Sequence, residues 1–411
     1  MQASSEASSQ VDLRATLFRV WNKGVLGGLL FLFGWRTYIW LSLTSADISF
    51  LDAFDWTAFD TVADRWVAGE EIYVPLSTEE TLPWLYPPIM ALLFLPLSSL
   101  GTLPSWIAIA GVMTIAFFVS LRLMSKEFQV SFGLALVLGL ALIMPSLSIL
   151  MGQLTMLALL VFVVAMRQQG AGNSFASGLV LSLLVLKPPL LVMIWPVMFL
   201  KGTANRITGF AIGASLLVGI NIFLFPEQSL SFVESSRRMA ALQSQPGAIP
   251  FEKMANVFGF LVDPIGLSPG GLLTQGITVA ISGSVASYVA YAIYRRGRTD
   301  WQLAFALGAA MLPIVTPRLY WYDAALLIVP TILLASRSKG KTTLIALLSA
   351  AGSLASGVIW SLNILFVIAG GLLIWFLLNT RSQAGHLEFS DLGKFSKTVR
   401  NRFKAERGWS F

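Results

Sequence analysis

The 411-residue sequence contains no cysteine, one histidine (His386) and few charged side chains. The absence of cysteine excludes disulfides and Cys-based zinc or iron–sulfur sites, and a single histidine excludes a His-rich metal centre. Charged residues make up 12% of the chain, about half of the roughly 25% found in soluble globular proteins. Hydrophobic residues make up 56%, and the mean hydropathy is +0.74. This composition indicates a polytopic membrane protein.

Apolar runs of about 20 residues, the length that crosses a bilayer, recur through most of the chain. They lie near 24–44, 104–121, 129–145, 150–166, 174–200, 207–226, 271–294, 302–317, 320–335, 342–359 and 361–379. Residues 86–100 are short and rich in proline, which favours a re-entrant or juxtamembrane segment. The run 174–200 is interrupted by Lys187, Pro188 and Pro189, which favours a broken span buried in protein. We therefore predict an all-α polytopic membrane domain over residues 1–380, with about 12 transmembrane helices.

The net charge of +7 comes from basic residues in short turns between apolar runs and in the tail, residues 381–411. This distribution is typical of the cytoplasmic side of a membrane protein, and it argues against nucleic acid as a partner. We expect both termini in the cytoplasm and a multi-pass protein of the plasma membrane. The basic tail is a topology signal that is also suited to contact with anionic lipid.

One stretch, residues 45–86, carries nine of the 21 acidic residues and a single basic one, Arg65. Because the N-terminus is predicted inside, this stretch lies outside, in a first outer loop over 45–103 with juxtamembrane helices. A second large outer loop is predicted over 227–269. The same topology places the Gly152-Gln153 turn, the break at Lys187 and the Pro317-Arg318 turn on the outer side.

Short motifs of this first loop and of later turns resemble the GT-C glycosyltransferases. The loop carries an Asp followed by aromatics, then Gly and Tyr, then an aromatic-Pro-Pro leading to Pro-Leu, in the segments Asp55-Trp-Thr-Ala-Phe59, Gly69, Tyr73, Trp84-Leu-Tyr86-Pro87-Pro88 and Pro96-Leu97. Further matches are Gly152-Gln153, Lys187-Pro188 and Thr316-Pro317. In order and spacing they are similar to glycosyltransferase family 87, the polyprenyl-phosphate-mannose-dependent mannosyltransferase-like proteins. The resemblance runs from the first span to about residue 335, and it implies a GT-C fold.

The resemblance implies a role for Asp55 as the general base. In GT-C enzymes the loop carboxylate takes the proton from an acceptor hydroxyl as its oxygen attacks the anomeric carbon of a lipid-phosphate sugar. The leaving group is a polyprenyl phosphate, and the configuration at the anomeric carbon inverts. Asp52 is close enough in sequence to be the base instead.

Two basic residues are candidates for binding the donor phosphate. Lys187 lies at membrane depth beside two prolines, where a charge is costly unless it has a partner or a function; the alternative is a lysine that snorkels near a turn. Arg318 lies between two apolar runs on the predicted outer side, so that either a phosphate or Asp323 is a plausible partner. At Tyr322 and Asp323 the sequence departs from the family pattern, which often carries one or two histidines there.

The remaining candidates are polar or aromatic residues. Gln153 is suited to bind a sugar or phosphate or to satisfy a helix end, and Tyr86 is suited to stack on a sugar or to belong to an aromatic belt. The predicted substrate-binding residues are thus Tyr86, Gln153, Lys187, Arg318, Tyr322 and Asp323. We expect no metal site and no cofactor.

The sequence therefore predicts an inverting glycosyltransferase that moves a sugar, in the first instance mannose, from a polyprenyl-phosphate donor to an extracytoplasmic glycan or glycolipid. The alternative is a transporter or flippase of lipid-linked sugars, in which the outer acids and Lys187 would line a path. No internal repeat is visible in the sequence, which counts against that alternative.

Overall fold

The computed structural model describes residues 55–73, 84, 86–242, 254–263, 265–316, 319–337 and 363–379. Within these ranges the regular structure is helical, and β pairing is limited to an isolated antiparallel bridge between Met254 and Tyr320. This confirms the predicted all-helical class. The predicted spans 24–44 and 342–359, residue Asp52 and the basic tail lie outside the described residues.

The described α-helices of six residues or more are numbered here in chain order. They are α1 (Asp55–Ala68), α2 (Thr102–Glu127), α3 (Phe132–Ala141), α4 (Ile143–Leu150), α5 (Thr155–Gly170), α6 (Ser174–Leu181), α7 (Thr203–Leu224), α8 (Pro226–Leu242), α9 (Val257–Val262), α10 (Leu272–Arg295), α11 (Trp301–Ala310), α12 (Ile328–Arg337) and α13 (Asn363–Asn379). Short helical turns, several of them 3₁₀, lie between these helices at Pro88–Leu93, Leu95–Ser98, Ser182–Leu186, Pro188–Met193, Ile194–Val197, Leu312–Val315 and Trp321–Leu327.

Three of the described helices are long and apolar enough to cross a membrane: Leu103–Glu127, Thr203–Leu224 and Leu272–Arg295. The pair Phe132–Leu140 and Met144–Leu150 would make a fourth span if it counts as one, although its two halves are bent by 69°. The turns Pro88–Leu93 and Leu95–Ser98 are too short to cross a bilayer. The predicted number of about 12 spans stays a prediction.

The centre of the bundle is α11, whose side chains are buried on every face from Leu303 to Ala310. A helix that is apolar all round must be covered by neighbours or by lipid, and α11 is covered by α12, α13 and α5. By contrast, α7 and α10 leave large apolar side chains such as Phe223 and Leu272 exposed. These two helices therefore present the surface suited to face lipid.

The predicted broken span consists of α6, two 3₁₀ turns and Ile194–Val197, with the break at Lys187. Glycines let its neighbours approach closely. A Cβ at Gly178 would lie 2.0 Å from the Arg206 carbonyl oxygen, and one at Gly308 would lie 2.2 Å from that of Met193. The broken span is thereby wedged between α7 and α11, because larger residues at these glycines would push the backbones apart.

The C-terminal end of the broken span is held by a fully buried arginine, Arg206. Its guanidinium donates to the carbonyl oxygens of Val197 and Lys201, both at 2.8 Å, and to Oε1 of Gln169. Arg298 donates in the same region to the Phe199 carbonyl at 2.6 Å. Cations at the end of a helical segment satisfy carbonyls that have no helical partner. This end of the broken span is therefore fixed independently of the break itself.

Candidate functional site

Three interruptions of helical structure precede or carry the residues of the candidate site. The chain turns between α4 and α5 at Gly152, which has a φ of +70° that glycine tolerates. Lys187 leaves helical geometry, with φ −129° and ψ 77°, because it precedes a proline. Thr316 is extended, with ψ 123°, for the same reason. Irregular backbone inside a membrane protein is tolerated where it is buried or lines a cavity.

The interruptions bring together Lys187, Asp323 and Thr155. The Lys187 ammonium lies 2.5 Å from Oδ1 of Asp323 and donates to Oγ1 of Thr155 at 2.9 Å. The Thr155 hydroxyl donates in turn to Asp323 Oδ1 at 2.5 Å. The side chains of Lys187 and Asp323 are only 12% and 3% exposed. The three groups form a closed ring of charge-assisted hydrogen bonds, which is the condition under which a buried ion pair is tolerated.

The sequence left either a phosphate or Asp323 as the partner of Arg318, and that prediction stays untested. Arg318 lies outside the described residues. In the structure Asp323 pairs with Lys187, 136 positions earlier in the chain. The hydrogen bonds that the Asp323 carboxylate accepts from described residues all go to Oδ1. Within the described part of the chain, no hydrogen bond reaches the second carboxylate oxygen, Oδ2.

Aromatic rings lie beside the ion pair. The Lys187 ammonium is 5.4 Å from the centroid of the Tyr322 ring, a cation–π distance. Tyr322 stacks on Tyr320, with the ring centroids 5.6 Å apart and an interplanar angle of 19°. Both rings are partly exposed. They give the site a flat apolar surface next to its charged groups.

Tyr86 and Gln153 also contact each other. The Tyr86 hydroxyl donates to Gln153 Oε1 at 3.1 Å, and the Tyr73 hydroxyl donates to the Tyr86 carbonyl at 2.7 Å. Burial raises the pKa of Tyr73 above its usual range, so the hydroxyl keeps its proton as a donor. Gln153 lies two residues before Thr155 and is itself buried. The turn between α4 and α5 therefore connects Tyr86 to the Lys187–Asp323 pair.

The predicted base, Asp55, is the first residue of α1, and its side chain lies outside the described residues. One turn further along α1, the Phe59 ring packs on Tyr86 at 5.6 Å and on Phe94 at 4.6 Å. The backbone of Asp55 is therefore placed at the end of a helix that packs on Tyr86. Asp64, further along the same helix, is exposed.

The structure thus groups five of the predicted site residues into two contacts, Tyr86 with Gln153 and Lys187 with Tyr322 and Asp323. Thr155 was missed by sequence reasoning. The sequence did contain an indication of it, because Thr155 is a polar residue that begins an apolar helix shortly after the Gly152-Gln153 turn. Among the described residues, no group of three or more His, Cys, Asp or Glu side chains is placed to hold a metal ion.

A family model, glycosyltransferase family 87, matches residues 84–317, more than half of the chain. The chain belongs to glycosyltransferase family 87. It is therefore a glycosyltransferase of the membrane, consistent with the GT-C superfamily, and it works with a sugar donor and an acceptor. No curated protein and no solved structure matches the sequence.

The match to glycosyltransferase family 87 divides the candidate site. Tyr86, Gln153 and Lys187 lie inside the matched interval, as does Thr155. Asp55 lies before it, and Asp323 lies a few residues beyond its end. The ion pair therefore joins a lysine from the matched region to a carboxylate from the segment that follows.

Proposed function

We propose that this member of glycosyltransferase family 87 is an inverting enzyme that uses a polyprenyl-phosphate sugar, with mannose as the sugar to be tested first. The acceptor is an extracytoplasmic glycan or glycolipid. One observation carries the proposal beyond the family: a lysine and a carboxylate, held against each other at a break in the helices, lie beside two partly exposed tyrosines. Charge, hydrogen-bond acceptors and flat rings together suit a phosphorylated sugar.

In this proposal Asp55 is the general base. The acceptor oxygen attacks the anomeric carbon while its proton passes to the Asp55 carboxylate. The bond between the anomeric carbon and the phosphate oxygen breaks, and the electron pair leaves with the polyprenyl phosphate. Attack from the face opposite the leaving group inverts the configuration. Two features support this role for Asp55: its position at the start of α1, and the packing of that helix on Tyr86.

Lys187 supplies positive charge for the leaving phosphate. An ammonium has three N–H donors, and within the described residues two of them bond to Asp323 and Thr155. The third is available for a phosphate oxygen. Because Asp323 and Thr155 fix the ammonium in advance, no reorganisation is needed as negative charge develops on the leaving group. Arg318 is proposed as a second cation, since it precedes Asp323 by only five residues.

The proposed location follows from the charge pattern of the sequence. The enzyme lies in the plasma membrane with both termini in the cytoplasm and its active site on the outer face. The polyprenyl tail reaches the site between spans, and the acceptor approaches over the first outer loop. No metal and no cofactor are included in the proposal.

Transfer in proteoliposomes tests the proposal. The purified protein is given radiolabelled polyprenyl-phosphate-mannose and candidate acceptors, and wild type is compared with Asp55→Asn. Loss of a general base is expected to lower kcat by roughly a hundredfold or more. Asp64→Asn is the matched control, because Asp64 is an exposed carboxylate on the same helix, and it should leave transfer unchanged.

Each contrary result removes a defined part of the proposal. Undiminished transfer by Asp55→Asn would reject Asp55 as the base and direct attention to Asp52. Label that crosses the bilayer without forming a glycosidic bond would show a flippase in place of a transferase. Transfer from a nucleotide sugar, with none from the lipid donor, would reject the polyprenyl-phosphate donor.

A further inference from the structure

The end of the second outer loop is fastened to the segment that leads into Asp323. Residues 254–263 belong to the last part of that loop (227–269), and they contact Thr316, Leu319 and Tyr320. The Ala255 amide donates to the Leu319 carbonyl at 2.6 Å, and Met254 forms the antiparallel bridge with Tyr320. These backbone contacts fix one side of the connection between the Leu312–Val315 turn and the Trp321–Leu327 turn.

Asn256 makes the second attachment with its side chain. It is fully buried, and its amide nitrogen Nδ2 donates to the Thr316 carbonyl at 2.9 Å. Its oxygen Oδ1 accepts a hydrogen bond from the Gly259 amide at 2.8 Å, which caps the start of α9. One side chain therefore has two separable tasks, an N-cap made by its acceptor and a tie to Thr316 made by its donor.

The hydrogen bond from Asn256 meets the chain at the end of a helical turn. Thr316 is extended and lies just outside the preceding helical turn, so its carbonyl has no partner within a helix. Three residues later the backbone is held again, at Leu319. Asp323 then follows in the first turn of the 3₁₀ helix, with its amide bonded to the Tyr320 carbonyl at 2.9 Å. Two attachments therefore hold the backbone shortly before Asp323.

The same outer loop also contacts the first loop. Within α8 the Phe232 ring packs on Tyr73, and just before α8 the Phe225 ring packs on Trp66. Tyr73 in turn donates to the Tyr86 carbonyl. The second outer loop therefore contacts neighbours of both parts of the candidate site, Tyr73 through aromatic packing and Thr316 through Asn256.

We propose that Asn256 is a positioning residue for the Lys187–Asp323 pair. Its hydrogen bond to Thr316 fixes the chain before residues 319–323, so that Asp323 Oδ1 lies against the Lys187 ammonium. The expected effect of Asn256 on catalysis rests on the proposed function. Its expected effect on the ion pair does not depend on that function.

Two substitutions separate the tie from the cap. Asn256→Asp keeps the shape and the capping oxygen but has no N–H donor for Thr316. Asn256→Ser also keeps a capping oxygen, is too short to reach Thr316, and avoids burying a carboxylate. Asn173→Ser is the matched control, because Asn173 caps α6 through the Ala176 amide at 3.0 Å and is exposed.

Two measurements are made on each full-length variant in the same proteoliposomes. The first is the rate at which acetic anhydride modifies Lys187, read by mass spectrometry against the exposed Lys201 as internal reference. We expect modification of Lys187 to be several times faster in both Asn256 variants, since a loosened pair leaves the ammonium more accessible. The second is sugar transfer, for which a displaced site predicts a fall in kcat of roughly ten- to a hundredfold, with a smaller change in KM.

The outcomes distinguish this inference from the proposed function. If the Asn256 variants modify Lys187 at the wild-type rate, the positioning role is wrong, whatever the transfer assay gives. If Lys187 becomes more reactive but wild type transfers no sugar from the lipid donor, the positioning role stands and the proposed donor fails. If Asn173→Ser changes Lys187 reactivity as much as Asn256→Ser does, the effect comes from capping and the inference is overturned.

Discussion

Among the described residues, two ion pairs have both side chains largely buried, Lys187–Asp323 and Arg337–Asp300. Both join residues that lie far apart in the sequence, and both lie between helices. They differ in how completely the carboxylate is used and in the backbone on which it stands. That difference separates a pair suited to hold the fold from one suited to meet a ligand.

The Arg337–Asp300 pair uses both carboxylate oxygens. Arg337 donates to Asp300 Oδ2 at 3.0 Å and to Oδ1 at 2.8 Å. Asp300 Oδ1 also accepts from the Leu303 amide and so caps α11. Such a bidentate pair at a helix N-terminus joins α11 to the end of α12. Because both oxygens are occupied, Asp300 has little left to offer a substrate.

The Lys187–Asp323 pair uses one carboxylate oxygen and stands on two breaks. Within the described residues, Oδ1 of Asp323 accepts the hydrogen bonds from Lys187 and Thr155. The two charged residues lie outside the α-helices, because Lys187 follows one 3₁₀ turn and Asp323 lies in another. Placing charges there costs more than placing them at a helix end. A pair retained under those conditions is a better candidate for function than one that completes a helix cap.

The largest expected effect comes from removing the Lys187–Asp323 charges. Lys187→Met should lower sugar transfer by roughly a hundred- to a thousandfold, the cost of losing a preorganised electrostatic contact to the transition state. The double variant Lys187→Met with Asp323→Leu should regain thermal stability, because an apolar pair of similar volume replaces a buried ion pair well. It should not regain transfer. Full activity in the double variant would show that this pair is structural, like the other.

A smaller effect on chemistry but a clear one on stability is expected at the second pair. Asp300→Asn keeps the helix cap, since Asn is a good N-cap, but it leaves Arg337 without its counter-ion. Breaking a buried pair in this way should lower the free energy of unfolding by about 3 kcal/mol. Thermal unfolding in detergent measures the loss, and kcat of the remaining folded protein should equal that of wild type. A kcat reduced as strongly as in Lys187→Met would erase the distinction between the pairs.

The smallest expected change in free energy is at Thr155. Thr155→Val keeps the shape but removes the hydroxyl that accepts from Lys187 and donates to Asp323. Transfer should fall by about tenfold, because the ion pair itself remains while its two hydrogen bonds to Thr155 are lost. Thr155→Ser retains the hydroxyl and should restore most of the activity. Initial rates at saturating donor decide between them. Equal rates for Val and Ser would mean that the bridge does not orient the pair.

Part of this site could be predicted from the sequence. A lysine followed by two prolines inside an apolar run required both a helix break and a partner, and the break lies at Lys187. Gln153 and Tyr86 were identified by family resemblance, and the structure brings them into contact. The identity of the partner of Lys187 could not be predicted, because Asp323 is distant in sequence and no local pattern links the two.

Asn256 and Thr155 illustrate what sequence reasoning could not reach. Neither residue type is unusual in a loop or at the start of a helix. Only their burial and their hydrogen bonds in the folded protein distinguish them from other polar residues. The tie from Asn256 to Thr316 and the bridge from Thr155 to Asp323 are long-range contacts. Periodicity and motif spacing describe only neighbours along the chain.

The sequence by itself determined the class of the protein, its apolar helices and the places where prolines and glycines interrupt them, because these depend on local sterics and on transfer of side chains from water to lipid. The tertiary structure decided which interruptions meet and which buried charges pair. Within the described residues it joined Lys187 and Thr155 to one oxygen of Asp323, whereas it joined Arg337 to both oxygens of Asp300. The physical reason is that a buried charge must contact an opposite charge, and folding decides which one lies close enough.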